Sequence, residues 1–339
     1  MNERINDIIS QITDPAYLPV CSMSEIYDMI YESRPPIIDG LLYPGAYLFV
    51  GAPKVGKSFL MAQLAYHIST GTKLWNYDVN KGSVLYLALE DDYRRIQKRL
   101  YRMFGADSTD NLYFSCAAHQ MGCGLNEQIS RFLDEHPDTR LVIIDTLQKI
   151  RENKGDTYSY SSDYEAISLL KALADRYGIC LLIVHHTRKQ QSDDRFDKIS
   201  GTNGLLGAAD GAFILEKEKR TSNCAVLEIS GRDQQEQMLY LEKNMDTLLW
   251  ELIRTDSELW KAPPDPLLEK ISQLVTTEAP LWEGTATTLA KLLDCNLTPN
   301  VLSRKLNINA ARLKEEKNIR YERSHGHESR TIKLTLCDG

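Results

Sequence analysis

The apolar residues of this chain fall into unbroken runs early on and into alternation later. Residues 47–50, 84–89, 141–144, 181–184 and 212–215 are continuous apolar stretches, the pattern of strands covered on both faces in a mainly parallel sheet. Residues 93–104, 125–135 and 162–177 lie between them and read as helices. Strand and helix in turn predict an α/β fold, a doubly wound sheet that binds ligands at the carboxyl ends of its strands. Residues 225–230, 238–242 and 248–253 alternate more and sit close together, which predicts an antiparallel extension of the same sheet. Ile5, Ile8, Ile9 and Ile12 have helical spacing and predict a small amphipathic helix, a lid or packing element. Arg34-Pro35-Pro36 then breaks helical geometry.

The pattern changes after the proline-rich hinge Lys261-Ala262-Pro263-Pro264-Asp265-Pro266. Residues 266–277 and 285–293 read as short helices. Thr298-Pro299 offers an N-cap and a first-turn proline for a longer helix through about Lys317. Residues 319–323 and 331–334 flank a turn at 324–327, a hairpin signal. The expected organisation is a leader over 1–35, an α/β core over 36–258, a linker over 259–265 and a small unit over 266–339.

A length of 339 residues accommodates those two folded units. The net charge of −7 excludes a uniformly basic coat, so any nucleic-acid surface must be local. Seven scattered cysteines without a paired C-x-x-C spacing read as reduced core cysteines of a cytosolic protein, not as a zinc site or disulfide framework. With no apolar signal core and no run near 18 apolar residues, the expected protein is soluble and cytoplasmic, without a membrane partner.

The densest chemistry lies where the first apolar run meets the first helix. Gly51-Ala52-Pro53-Lys54-Val55-Gly56-Lys57-Ser58 fits G-x-x-x-x-G-K-[ST] between a strand and a helix, the context of a phosphate-binding loop. Glycines let successive N–H groups point at phosphate oxygens, and the helix N-terminus adds partial positive charge. Lys57 would reach the β- and γ-phosphates, and Ser58 would offer its hydroxyl to Mg²⁺. Asp145 ends another run, where a carboxylate can hold the Mg²⁺ shell. Glu90-Asp91-Asp92 ends a third; Glu90 is the candidate general base, Asp91 the reserve, and capping of the next helix the plainer reading. His185-His186 ends a fourth, and one of the pair could sense the γ-phosphate.

These motifs, in this order over about residues 36 to 255, resemble RecA-like hexameric ATPases of the RepA replicative-helicase type. The likeness is more specific for the ATPase core than for helicase activity. It implies ATP and Mg²⁺ as cofactors, bound by Gly51, Ala52, Pro53, Lys54, Val55, Gly56, Lys57, Ser58 and Phe59. It further implies Glu90 as general base, Asp145 and Ser58 as Mg²⁺ ligands, and His186 as phosphate sensor. Ala52 stands where Min/Par ATPases carry their signature lysine, which disfavours that class. Ring-forming members complete each site with an arginine from the next subunit. In Ser230-Gly231-Arg232-Asp233, Arg232 fits their Lys-x-Arg motif, although Ser230 replaces the lysine.

Two cationic loops, 149–160 and 188–204, could line a ring's central pore, the first with tyrosines for base stacking. Three helices and a hairpin at the C-terminus resemble a winged helix-turn-helix domain. Between residues 301 and 333 nine lysines and arginines oppose four glutamates, so basic character is concentrated there. Such a domain would contact DNA or dock a protein. Two functions follow: a DNA-associated, ATP-hydrolysing motor, hexameric, from a plasmid or mobile element and acting on single-stranded or duplex DNA; or a nucleotide-switched, non-translocating DNA-binding regulator.

Overall fold

The structure, a computed structural model, describes residues 18, 20–31, 34–151, 160–186, 203–217, 219, 221–232, 234–256, 264–325 and 330–337. The chain divides into two compact units, Arg34–Trp260 and a second made of Met1–Ser33 with Lys261–Gly339. The isoleucine helix expected near the start lies outside the described residues. Of the cysteines expected in the core, only Cys180 is buried, and Cys21, Cys123 and Cys224 are exposed.

The larger unit is built on strands β1 Gly45–Gly51, β2 Ser83–Ala88, β3 Leu112–Ser115, β4 Thr139–Asp145, β5 Cys180–His186, β6 Gly211–Glu216, β7 Cys224–Gly231, β8 Gln237–Lys243 and β9 Trp250–Thr255. They form one sheet in the order β3-β2-β4-β5-β1-β6-β7-β8-β9. Pairing is parallel from β3 through β6 and antiparallel from β6 to β9. After α1 Met23–Asp28, which belongs to the smaller unit, the larger unit's helices in chain order are α2 Lys57–Thr70, α3 Tyr93–Phe104, α4 Leu125–Glu135, α5 Leu147–Ile150, α6 Tyr160–Tyr177 and α7 Asn203–Ala208. Every residue of β1 and β2 is buried, because their side chains enter separate cores on the two faces. Phe49 and Tyr86 pack with Leu60 and Ile68 of α2, while Leu48 and Leu85 join Ile129 of α4 and Leu170 of α6. A strand that feeds two cores has no polar face, hence the unbroken apolar runs.

β3 escaped the sequence reading. Leu-Tyr-Phe-Ser is a short edge strand, intermediate in burial along its whole length, too brief to show a period. Its register beside β2 continues the parallel set.

The smaller unit comprises α8 Pro266–Leu274, β10 Leu281–Thr285, α9 Ala286–Leu292, α10 Pro299–Ile308, α11 Ala310–Lys317, β11 Ile319–His325 and β12 Arg330–Leu336. Its antiparallel sheet has the order β10-β12-β11 and shares a core with the helices, including Leu268, Leu302, Leu313 and Leu334. The single long helix expected through Lys317 is two helices. Asn309 separates them, with its backbone N–H and its side-chain Nδ2 both donating to the Lys305 carbonyl at 3.0 and 2.9 Å. An amide side chain that competes for helical carbonyls ends a helix without proline or glycine. β10 was also missed, since Leu-Trp-Glu-Gly-Thr is polar, exposed in part and interrupted by Gly284.

α1 falls within the expected leader. Ser22 and Glu25 form a reciprocal capping box at its start, a signal present in Ser-x-x-Glu. Asn307 of α10 donates to the Tyr27 carbonyl at 2.9 Å and accepts from the Tyr321 hydroxyl at 2.8 Å.

Candidate nucleotide site

Register alone brings four of the candidate residues together. Gly51 is level with His186 on β5, and Ala88, two residues before Glu90, is level with Asp145 on β4. Four parallel strands therefore end on one line, next to the N-terminus of α2.

The loop between β1 and α2 has the backbone of an anion cradle. Gly56 sits at φ 111° and Lys54 at φ 66°, both left-handed. A Cβ on Gly56 would come within 2.8 Å of the Trp250 ring, and one on Gly51 within 2.7 Å of the Leu215 carbonyl. Among the described residues, the amides of Lys54, Gly56, Lys57 and Ser58 find no acceptor. Unused N–H groups at the start of a fourteen-residue helix suit phosphate oxygens.

Lys57 is buried and folds back over the loop. Its Nζ donates to the carbonyls of Gly51 and Ala52 at 2.7 and 3.1 Å and stands 3.2 Å from His186 Nδ1. Burial brings its pKa down to about 8, against the pull of Asp145 and Glu90. Burial, reinforced by Lys57, also holds His186 below the ordinary imidazole value, so the ring is a neutral acceptor at neutral pH. The adjacent His185 is buried and faces the other way, as neighbours on a strand must.

Asp145 receives the Ser58 hydroxyl and the Tyr86 hydroxyl on the same oxygen, each at 2.9 Å. Burial raises its pKa, and those two hydrogen bonds oppose the rise. Paired hydroxyl and carboxylate oxygens at the cradle's edge are a hard-ligand set that fits Mg²⁺. Among the described residues no group of three or more His, Cys, Asp or Glu could hold a metal by itself. Tyr86 was not singled out from the sequence. Tyr86→Phe should lower unfolding free energy by about 1.5–3 kcal/mol, the worth of a hydrogen bond to a charged partner. Urea titration reads this directly, and an unchanged midpoint would mean that the hydroxyl is idle.

The acidic triplet divides its work. Asp92 caps α3 by accepting from the Arg95 amide at 2.9 Å, and Asp91 pairs with Arg99 at 2.7 Å and Arg95 at 3.4 Å. Glu90 makes neither contact and accepts instead from the Thr146 hydroxyl at 3.2 Å. Thr146 follows Asp145 directly, so one turn positions both carboxylates.

Arg232 is not part of this group. Gly231 is level with Gly211, the first residue of β6, whereas the cradle is level with Leu215. It lies at the opposite end of the strands, roughly 13 Å along β6 at 3.3 Å per residue. There its guanidinium donates to the Gly207 carbonyl at 3.0 Å. Of the two loops expected to line a pore, residues 152–159 and 187–202 lie outside the described residues.

In the smaller unit, several of the concentrated cations already have partners. Arg312 pairs with Glu316 at 2.7 Å, Lys317 with Glu269 at 2.5 Å, Arg320 with Glu322 at 3.3 Å and Arg323 with Asp28 at 3.8 Å. Lys305, Lys314 and Lys333 are exposed.

Residues 10–192 match the AAA_25 family, described as an AAA domain. The chain belongs to this AAA-domain family. Among curated proteins, it is 28% identical over 186 residues to the DNA repair protein RadA of Streptococcus pyogenes serotypes M6 and M18. The match takes in 54% of this chain and 36% of RadA, so the chain spans about a third of that relative. Among solved structures, the ATPase domain of G40P aligns with a TM-score of 0.53 at 16% identity, covering 75% of this chain and 98% of that one. A DnaB-like replicative helicase, solved in a study of its interactions with primase, aligns with a TM-score of 0.55 at 15% identity, covering 74% and 71%. The AAA-domain core thus has the RecA-like fold of helicase ATPase domains. Among the described residues no helix is long and apolar enough to cross a membrane.

Proposed function

We propose that this protein is a DNA-associated motor that hydrolyses nucleoside triphosphate, a helicase of the RepA type working as a hexameric ring in the replication of a plasmid or mobile element. The observation that carries the reading is the convergence of Lys57, Ser58, Glu90, Asp145 and His186 on a loop with unused amides. The names of the similar proteins, a DNA repair protein and a replicative helicase, support DNA as the partner.

In this mechanism the amides of Lys54, Gly56, Lys57 and Ser58 and the Lys57 amine bind the phosphates. Lys57 exchanges its contacts with Gly51 and Ala52 for phosphate oxygens, and that exchange also releases His186. Glu90, aimed by Thr146, accepts a proton from water as the water attacks. Ser58 and Asp145 would hold Mg²⁺, which supplies neutralisation of charge on the β- and γ-oxygens. Arg232, remote from its own cradle, serves the site of a neighbouring subunit and stabilises developing charge there.

A second reading has its own support. Four helices, α8 to α11, with an antiparallel sheet in the order β10-β12-β11 suit a winged helix, in which α10 and α11 would face a DNA groove. That unit would serve a nucleotide-switched regulator equally well. Hydrolysis assayed with and without single-stranded DNA, alongside a sizing measurement, separates the two. The motor predicts a ring and at least tenfold stimulation. Slow unstimulated hydrolysis with sequence-specific duplex binding would favour the regulator.

A further inference from the structure

One helix of the smaller unit is covered by the far end of its own chain. Leu302 and Leu306 of α10 sit in the core, and Arg304 lies about half a helical turn from both, on the face directed away from that core. In a winged helix this outward face enters the DNA groove. Here α1 lies across it. Arg304 donates to the Ser24 hydroxyl at 3.4 Å, and its guanidinium stands 5.9 Å from the Tyr27 ring. Asn307 donates to the Tyr27 carbonyl at 2.9 Å and is buried. Arg323 on β11, in the hairpin that would form the wing, pairs with Asp28 at 3.8 Å, and its side chain is only 7% exposed.

The groups that α1 offers are a hydroxyl oxygen, a carbonyl, a carboxylate and an aromatic face, and the groups they meet on α10 and β11 all donate. DNA and its readers divide the roles in the same way. Phosphates and purine edges supply acceptors; arginine pairs with guanine O6 and N7, and asparagine with adenine N6 and N7. The hold of α1 is slight. None of its residues is buried, and none joins the core of the unit, so its departure would leave that packing intact. Met23, Ile26 and Met29 are exposed. The ion pair is long and its aspartate half exposed, a geometry that contributes little.

We infer that Arg304, Asn307 and Arg323 form a face that reads duplex DNA, and that α1 is its built-in competitor, displaced when DNA binds. The inference rests on the winged-helix reading above and adds the residues that contact DNA and the segment that withholds them.

Fluorescence anisotropy with the full chain and a labelled duplex of mixed sequence, at one low salt concentration, tests it. Tyr27→Ala/Asp28→Asn should bind about tenfold more tightly than the wild type, the gain expected when the competent form rises from about a tenth of the population to most of it. Glu278→Gln, which removes one exposed negative charge outside α1, should bind like the wild type. Arg304→Ala added to the double variant should cancel the gain. In the wild type, hydrogen exchange across residues 23–28 should quicken with duplex at saturation. A double variant, folded by circular dichroism, that binds no more tightly than the wild type overturns the inference and leaves the winged-helix reading standing. So does an equal gain in Glu278→Gln, or exchange that bound DNA does not quicken. A gain that survives Arg304→Ala overturns the assignment of the reading face. Duplex binding by neither the wild type nor the double variant overturns both readings.

Discussion

Glu90→Gln should bind nucleoside triphosphate as the wild type does and lose turnover by roughly 10²–10⁴-fold, the usual worth of a positioned general base. The substitution keeps the side chain's size and an oxygen to accept from Thr146, whose hydroxyl stands 3.2 Å from Glu90 Oε1. It removes only the capacity to take a proton. Lys57→Ala should fail one step earlier, with binding itself lost, because the buried amine sits inside the cradle. Asp91→Asn is the matched control. Asp91 is occupied by Arg99 at 2.7 Å, so its loss should lower stability more than turnover. Single-turnover hydrolysis beside filter binding reads all three variants. Normal hydrolysis by Glu90→Gln, with activity lost in Asp91→Asn, would move the base to Asp91.

The largest effect on stability is expected at Trp250. Its side chain is fully buried, and its ring packs against Gly56. Its backbone exchanges two hydrogen bonds with the Gln63 amide at 2.8 and 2.9 Å, and Trp75 Nε1 adds a third to the Trp250 carbonyl at 2.6 Å. Trp250→Ala should cost about 3–5 kcal/mol, which lowers the melting temperature by on the order of 10 °C for a unit of this size. Nucleotide affinity should fall with it, since the loop would lose the ring that backs Gly56. Gln63→Leu should destabilise less and spare the loop. Scanning calorimetry with and without nucleotide separates these terms. An alanine variant that melts like the wild type would show that the ring is not a brace.

How much of this was legible beforehand depends on distance along the chain. Local chemistry was plain: an apolar run, glycines at positions 51 and 56, then Lys57-Ser58 opening a helix. Glu90 and Asp145 could be named because each ends an apolar run, and parallel register does the rest. The division of labour in Glu90-Asp91-Asp92 was not readable, because it depends on Arg99 and Thr146 arriving from α3 and the end of β4. Trp250 lies nearly two hundred residues after the loop it borders, on a strand read only as an extension of the sheet. Tyr86 looked like one more apolar residue in a strand, and its hydroxyl acquires meaning only opposite Asp145. The sequence also left open which end of the sheet Arg232 occupies, since that follows from β7 running antiparallel to β6.

The central claim is that main-chain amides between β1 and α2 grip a triphosphate whose terminal phosphate faces Glu90. The most direct test is a crystal structure of Glu90→Gln with Mg²⁺ and nucleoside triphosphate. The expected density places the β- and γ-phosphates against the amides of Lys54, Gly56, Lys57 and Ser58, with Lys57 turned from Gly51 onto the phosphates. Density for the nucleotide elsewhere, with Lys57 still on the Gly51 and Ala52 carbonyls, would contradict it.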